Sequence, residues 1–295
     1  MTYYPFSLYL KDTFGEKVRR ISIDAGFTCP NIDGYLSNKG CIYCNNKAFS
    51  LYTREKKDIR TQIIESINYY KNRGINKFLA YFQAFTNTYA SLETLKNTYD
   101  TIREFKDIVG LVISTRPDCV DSEKIKLIAS YKSNYLTWIE YGLQTTHNHI
   151  LKAANRNHTY EDFLKALEIT KNEGINVGVH MIIGLPEETY DEIMIDAERL
   201  SSLPIDGIKF HLLHILKDTG LEAMYKKNKI RLFKMDEYIK IVCDFLEKIP
   251  KNVVILRLIS DAKPEYLIAP KWMNKKGIVI SEINKELERR WNLRY

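Results

Sequence analysis

The chain has 295 residues, 45% of them hydrophobic, which supports a sizeable core and excludes a disordered or fibrous protein. A net charge of +7 suits a polyanionic partner such as RNA, while the joint richness in Lys, Asn, Ile and Tyr is equally what an AT-rich genome produces. Five cysteines without a secretory segment fit a reducing cytosol, where thiols serve metals and not disulfides.

Met1 to Leu10 lacks a basic start followed by an apolar run, so no signal peptide is expected. From residue 18 onward, short β-prone runs alternate with longer stretches of helical spacing. Strands are predicted at 18–23, 77–82, 109–114, 137–141, 176–183 and 207–212. Between them, helices place Ile59, Ile63, Ile67 and Tyr70 on one face, then Leu92, Leu95, Tyr99 and Ile102, then Phe163, Ala166, Leu167 and Thr170. Thr159 with Asp162 is a start signal, and Gly74 and Gly174 are stop signals just before strands.

Six such units imply a parallel sheet, curved into a partial (β/α)6 TIM-type barrel over residues 15–220. Residues 221–295 predict a small C-terminal α/β extension packed on that core, with a helix at 234–248 and a strand at 253–258. Lys271, Lys275, Lys276, Lys285, Arg289, Arg290 and Arg294 make it the most basic part, read either as a solvated helix face or as a phosphate-binding ridge. The longest apolar stretch, about 177–185, is too short for a bilayer and contains His180, so a soluble, cytoplasmic protein without membrane contact is expected.

The most informative segment is the loop after the first strand. Cys29, Cys41 and Cys44 offer three thiolates, which suffice for three irons of a [4Fe–4S] cluster and leave the fourth iron without a protein ligand. Zinc or plain packing are the competing readings. Structural zinc takes four Cys or His ligands, and no Cys or His stands between residues 45 and 118. The other unusual polar segments are 83–88 (QAFTNT), 115–119 (TRPDC), 142–145 (GLQT), 184–187 (GLPE) and 211–217. All follow predicted strands, on the rim where such a barrel carries its chemistry.

The triad, the six-unit layout and the runs CPNIDG from Cys29, YFQAFTNTY from Tyr81, STRPD from Ser114, GLQT from Gly142 and GLP from Gly184 resemble the radical S-adenosylmethionine (SAM) enzymes. More narrowly they resemble the YhcC/YtqA (MnmL-type) subgroup, in the branch similar to the catalytic subunit of elongator. The resemblance spans about residues 21–261. It implies that SAM chelates the open iron, and that one electron through the cluster releases a 5′-deoxyadenosyl radical that takes hydrogen from the substrate. It also implies a reductant such as flavodoxin or ferredoxin, and a tRNA substrate. The reaction implied remodels the 5-carboxymethylaminomethyl group of wobble uridine to its aminomethyl form. The wide gap from Cys29 to Cys41 departs from the commoner spacing and is similar to this subgroup's own.

The same resemblance assigns SAM contacts. Tyr43 falls beside the adenine; Gln83, Thr86 and Asn87 fall near the amino group; Thr115 and Arg116 pair with the carboxylate, onto which a guanidinium forks. Glu140 and Gln144 fall at the ribose or methionine end, and Ile182, Ile183 and Leu216 make the adenine slot. A plain structural role stays open for each. His180 reads as a core histidine, whereas His211 and His214 are candidates to face substrate. Cys119 is a candidate hydrogen donor to a substrate radical or a buried inert thiol; Cys243 reads as structural. Asn157 stands where relatives carry glycine, and its tolerance of left-handed backbone keeps the turn possible. Ile32 stands where relatives often carry arginine. Alternative functions are radical chemistry on a protein or small metabolite, and a non-catalytic iron–sulfur or zinc RNA-binding module.

Overall fold

The computed structural model describes residues 2–48, 55 and 57–293; Arg294 of the basic tail lies outside the described residues. In chain order the strands are β1 (Tyr4–Pro5), β2 (Val18–Ile23), β3 (Lys77–Phe82), β4 (Ile108–Thr115), β5 (Leu136–Gln144), β6 (Asn176–Ile183), β7 (Gly207–Leu212), β8 (Ile215–Leu216), β9 (Val254–Arg257) and β10 (Leu267–Ala269). Eight of them form one sheet in the order β1-β9-β7-β6-β5-β4-β3-β2, every pair parallel, curled into a half-barrel with β1 and β2 at its edges. β8 and β10 make a separate antiparallel pair.

All six strands expected from the sequence are present. β4 and β5 run further than their apolar patterns, because the rim segments continue the extended backbone. The strand expected at 253–258 appears as β9, and it pairs with β7. The tail is therefore woven into the barrel sheet as well as packed on it. β1 has two residues, too few for a period to register in sequence.

The helices follow their signals. Thr159 caps Tyr160–Asn172 with a reciprocal bond to Asp162, and Thr189 does the same for Tyr190–Ser201 with Glu192. Ile63 and Ile67 are buried on Ile59–Lys71, and Phe163, Ala166, Leu167 and Thr170 on Tyr160–Asn172. Leu95 and Tyr99 are buried on Leu92–Asp100, but Leu92 is exposed and Ile102 sits in a 3₁₀ turn, Thr101–Glu104.

Alternation along each strand sorts residues between an outer face under the helices and an inner face. The inner face has three levels. Its floor is apolar: Phe6 and Leu10 of the helix Phe6–Phe14 plug the half-barrel against Leu79, Val112 and Trp138. Above it lies a charged level, Arg20, Glu140 and Lys209, and above that the polar rim. Among the described residues no helix is long and apolar enough to cross a membrane. The basic tail is largely spent on acids: Arg290 contacts Asp244, Glu247 and Glu286, Arg289 pairs with Glu286, Lys285 with Glu282, and Lys276 with Asp261. That favours the solvated helix face over a phosphate ridge.

Candidate active site at the strand rim

Two adjoining cavities open at the C-terminal ends of the strands. One, of about 140 Å³, is lined by Cys29, Cys41 and Cys44 with Thr86, Thr115, Arg116, Gln144 and Arg156. The other, of about 180 Å³, is lined by Gln83, His180, Ile182, Lys209, His211, His214 and Arg257 among others. Tyr43, Cys44, Asn46, Ser114, Gln144 and His180 line both, so the cavities share a wall. Gln144 reaches that wall because β5 breaks register between Tyr141 and Gln144, leaving Gln144 at φ +80°.

The cysteine loop is held from outside by residues 154–157. Asn155 and Asn157 both adopt left-handed backbone, with φ of 50° and 56°, as the asparagine reading allows. Asn155 Nδ2 donates to the Gly40 carbonyl at 2.6 Å, Asn157 Nδ2 to Asn31 Oδ1 at 2.6 Å, and Asn31 Nδ2 to the Asn155 carbonyl at 2.6 Å. Between the two asparagines, buried Arg156 fans out three ways. Its Nη1 meets Cys41 Sγ at 3.6 Å, Nη2 donates to the Gly142 carbonyl at 2.8 Å, and Nε donates to His158 Nε2 at 2.9 Å. His158 is held neutral, well below the usual imidazole range, by burial and by Arg156 and Arg116. Its Nε2 accepts, so its proton sits on Nδ1. A Cβ at Gly142 would lie 2.7 Å from Arg156 Nη2 and from Gln144 Nε2, so any larger residue there would displace both side-chain ends.

The thiols receive further donors, Asn31 Nδ2 on Cys41 at 3.3 Å and Asn46 Nδ2 on Cys44 at 3.5 Å. They do not converge on one point. Two thiolates on a single zinc ion lie no more than ~4.6 Å apart, whereas the only trio of His, Cys, Asp or Glu ligand atoms within 4.8 Å among the described residues is His147, His149 and Glu192. The wider thiol set suits a multi-iron cluster. The cavity also holds orphaned polar atoms: Tyr43 Oη, Thr86 Oγ1 and Arg116 Nη1 are buried without hydrogen-bond partners. A polar cofactor next to three thiols fits such a lining.

The other predicted residues separate by strand parity and by prior commitments. Thr115 lines the cysteine cavity while its hydroxyl bonds Thr88 at 2.6 Å. Arg116 lines it too, but its fork is occupied by Asp118 at 2.8 and 2.7 Å, leaving Nη1 alone for a ligand and not the two-pronged grip expected. Ile182 faces the second cavity, whereas Ile183, next on the strand, packs outward into the main core, and Leu216 packs there as well. Asn87 lines neither cavity; its amide donates to the Ala84 and Ser114 carbonyls and so fixes the rim loop. Cys119 also lines neither cavity, which counts against a hydrogen-donor role, while burial followed by Asp118 pushes its thiol up to about 12 and so keeps it as S–H. Cys243 is buried in Met235–Lys248, as expected.

Glu140 belongs to the charged level below the cavities. Arg20 Nη1 lies 2.8 Å from Oε1; His180 Nε2, Tyr81 Oη and Lys209 Nζ lie 2.6, 2.8 and 3.1 Å from Oε2. Burial alone would raise its pKa, but Arg20 and Lys209 hold it well below the carboxylate range. His180 is pushed down to about 4 by burial and Lys209 and donates from Nε2 as a neutral ring. Oε2 of Glu140 is thus taken by the protein, whereas Oε1 has the Arg20 charge beside it but no hydrogen bond. Arg20, Lys209, Arg156 and Asn31, which contact Glu140 or Cys41, are residues that the motif reading passed over. Part of their signal was available: Glu140 and Lys209 are charges standing inside otherwise largely apolar central strands.

A curled parallel sheet with a three-cysteine loop at its first rim position defines a class of cofactor-bearing half-barrel enzyme. The chain belongs to the radical SAM superfamily, whose model matches residues 35–200; a Radical_SAM C-terminal domain model matches 205–289. It is 36% identical to YtqA of Bacillus subtilis over 98% of this chain and 90% of that protein, and 32% identical to YhcC of Escherichia coli over 93% and 88%. It is 25% identical to the tRNA uridine(34) acetyltransferase of Methanocaldococcus infernus over 64% of this chain and 37% of that one. The structure of archaeal Methanocaldococcus infernus Elp3 shares the fold, with a TM-score of 0.69 and 20% identity, covering 91% of this chain and 63% of that chain. The cofactors are therefore a [4Fe–4S] cluster and SAM.

Proposed function

We propose that the protein is a radical SAM oxidoreductase that remodels the 5-carboxymethylaminomethyl group of tRNA wobble uridine to the aminomethyl form. The observation that carries this reading is the shared wall: a thiol-lined cavity and a small chamber with two cationic liners, Lys209 and Arg257, meet through Tyr43, Gln144 and His180. When bound, the cluster and SAM supply a one-electron cleavage that yields a carbon radical able to abstract hydrogen. The chain's part is to hold, orient and seal. Cys29, Cys41 and Cys44 would hold three irons of the cluster and leave the fourth open to SAM. Thr86 and the free Nη1 of Arg116 meet the polar end of SAM, Tyr43 and Ile182 cover its apolar faces, and Gln83 and Gln144 bridge to the chamber. The kinship to a tRNA uridine(34) acetyltransferase and the basic charge support an RNA substrate. This reading puts the reaction in the cytoplasm, with a flavodoxin or ferredoxin as electron donor.

Arg156 tunes the cluster, because a buried cation beside Cys41 favours the more negative, reduced state. Arg156→Met is expected to lower the midpoint potential in an anaerobic redox titration while iron content persists; an unchanged potential would contradict the role. The substrate is tested by nucleoside analysis of tRNA from a strain lacking the gene. The expected result is accumulation of the carboxymethylaminomethyl form with loss of its aminomethyl products. An unchanged profile would remove tRNA from the reading and leave the radical chemistry in place.

A further inference from the structure

The chamber beside the thiol cavity is short of negative charge. Its charged liners are Lys209 and Arg257, and no carboxylate lines it among the described residues. Beneath it, one carboxylate, Glu140, serves both Arg20 and Lys209. The nearest acid to the Arg257 guanidinium, Asp261, is 4.0 Å away and more than half exposed. Lys209 spends two of its three N–H groups, on Tyr81 Oη at 2.6 Å and Glu140 Oε2 at 3.1 Å, which leaves one for an occupant. His211 also lines the chamber, with Nε2 buried and without a hydrogen-bond partner. Burial, reinforced by Arg257 and Arg20 and opposed by Glu140, pushes Lys209 down to about 7, as expected where positive charge is in excess.

The size of the chamber limits what can correct that imbalance. About 180 Å³ is less than the ~300–1,000 Å³ that houses a whole small ligand, so it takes a protruding group and not a nucleotide. Leu212, Leu213 and Ile182 close its other walls. Arg257, Tyr81 and Gln83 also line a groove of about 740 Å³ along the seam between the sheet's edges, so the chamber has an approach from that side.

We infer that Lys209 and Arg257 form a carboxylate subsite that grips the acidic end of the substrate's side chain and thereby selects substrates carrying that acid. This inference rests on the tRNA reading for the identity of the carboxylate, but not for the existence of the subsite. A free carboxylate supplies two acceptors and one negative charge, which matches one ammonium N–H, one guanidinium and the His211 ring. SAM brings a carboxylate too, and the experiment separates the two sources.

The test is equilibrium binding to the reconstituted enzyme with cluster and SAM in place. The probes are an anticodon stem-loop carrying 5-carboxymethylaminomethyluridine and the same stem-loop carrying the 5-aminomethyl form. The wild type is expected to favour the acidic stem-loop by about tenfold or more, the worth of one charged hydrogen bond. Lys209→Met and Arg257→Met should each bring the preference close to unity, with Lys209→Arg recovering part of it. Iron content checks that each variant is folded, and Arg257→Met stands outside the Glu140 web should Lys209→Met unfold. Equal binding of both stem-loops by the wild type would overturn the subsite and leave the tRNA reading standing. If neither stem-loop binds, the tRNA reading fails, and N-methylglycine against N-methylethanolamine then reads the subsite. Binding of the acid alone, lost in Arg257→Met, upholds it, and equal binding overturns it. If the variants lose SAM affinity but keep the stem-loop preference, the subsite belongs to SAM and the inference is wrong.

Discussion

Replacing Cys41 by alanine is expected to bring bound iron from about four per chain to near zero after anaerobic reconstitution, and SAM cleavage to background. Cys41 is the most committed of the three thiols: it is buried, and it accepts from Asn31 and Arg156 together. Its loss removes one corner of the cluster and leaves the Arg156 cation facing a methyl group. Cys119→Ala and Cys243→Ala serve as controls, since neither residue lines the cavity, and both should retain full iron. Iron retained in Cys41→Ala, or lost in Cys119→Ala, would refute the assignment of ligands.

The second large effect is on stability. Glu140→Gln removes the one carboxylate that balances Arg20 and Lys209 inside the barrel. Breaking a buried ion pair from one side costs about 3–5 kcal/mol, which for a domain of this size lowers the melting temperature on the order of 10 °C. The pH dependence has a definite sign. The carboxyl of Glu140 sits well below its unfolded value of 4.5 in the folded chain. The unfolded state therefore binds the proton first, so the stabilisation is complete above about pH 4.5 and drains away as pH falls. The wild type should lose stability steeply on acidification below that point and the variant less so. Equal melting temperatures at neutral pH would contradict this account of the charged level.

Much of this architecture was legible in the sequence because local and tertiary preferences agree. β2, β3, β6 and β7 match their predicted bounds; for β3, β6 and β7 the reason is that a strand buried on both faces writes a largely apolar run, while β2, at the sheet's edge, shows instead an alternation of buried and exposed positions. The three cysteines were legible because thiols in a rim loop have few other uses. What was not legible depends on direction and on partners. Ile182 and Ile183 look alike in sequence, yet alternation sends one to the chamber and the other to the helices. Arg116 looked free to clasp a ligand, but Asp118, two residues on, already occupies its fork. Arg156 and Lys209 escaped notice because their meaning lies in contacts with Cys41 and Glu140, each more than 60 residues away in the chain.

The measurement that bears most directly on the central claim is electron–nuclear double resonance on the reduced, reconstituted protein with SAM labelled at its amino nitrogen and carboxylate oxygen. The account predicts a [4Fe–4S] signal in which both labels couple to a single iron, the one that Cys29, Cys41 and Cys44 leave open. A mononuclear metal, or a cubane with no coupling to either label, would contradict it.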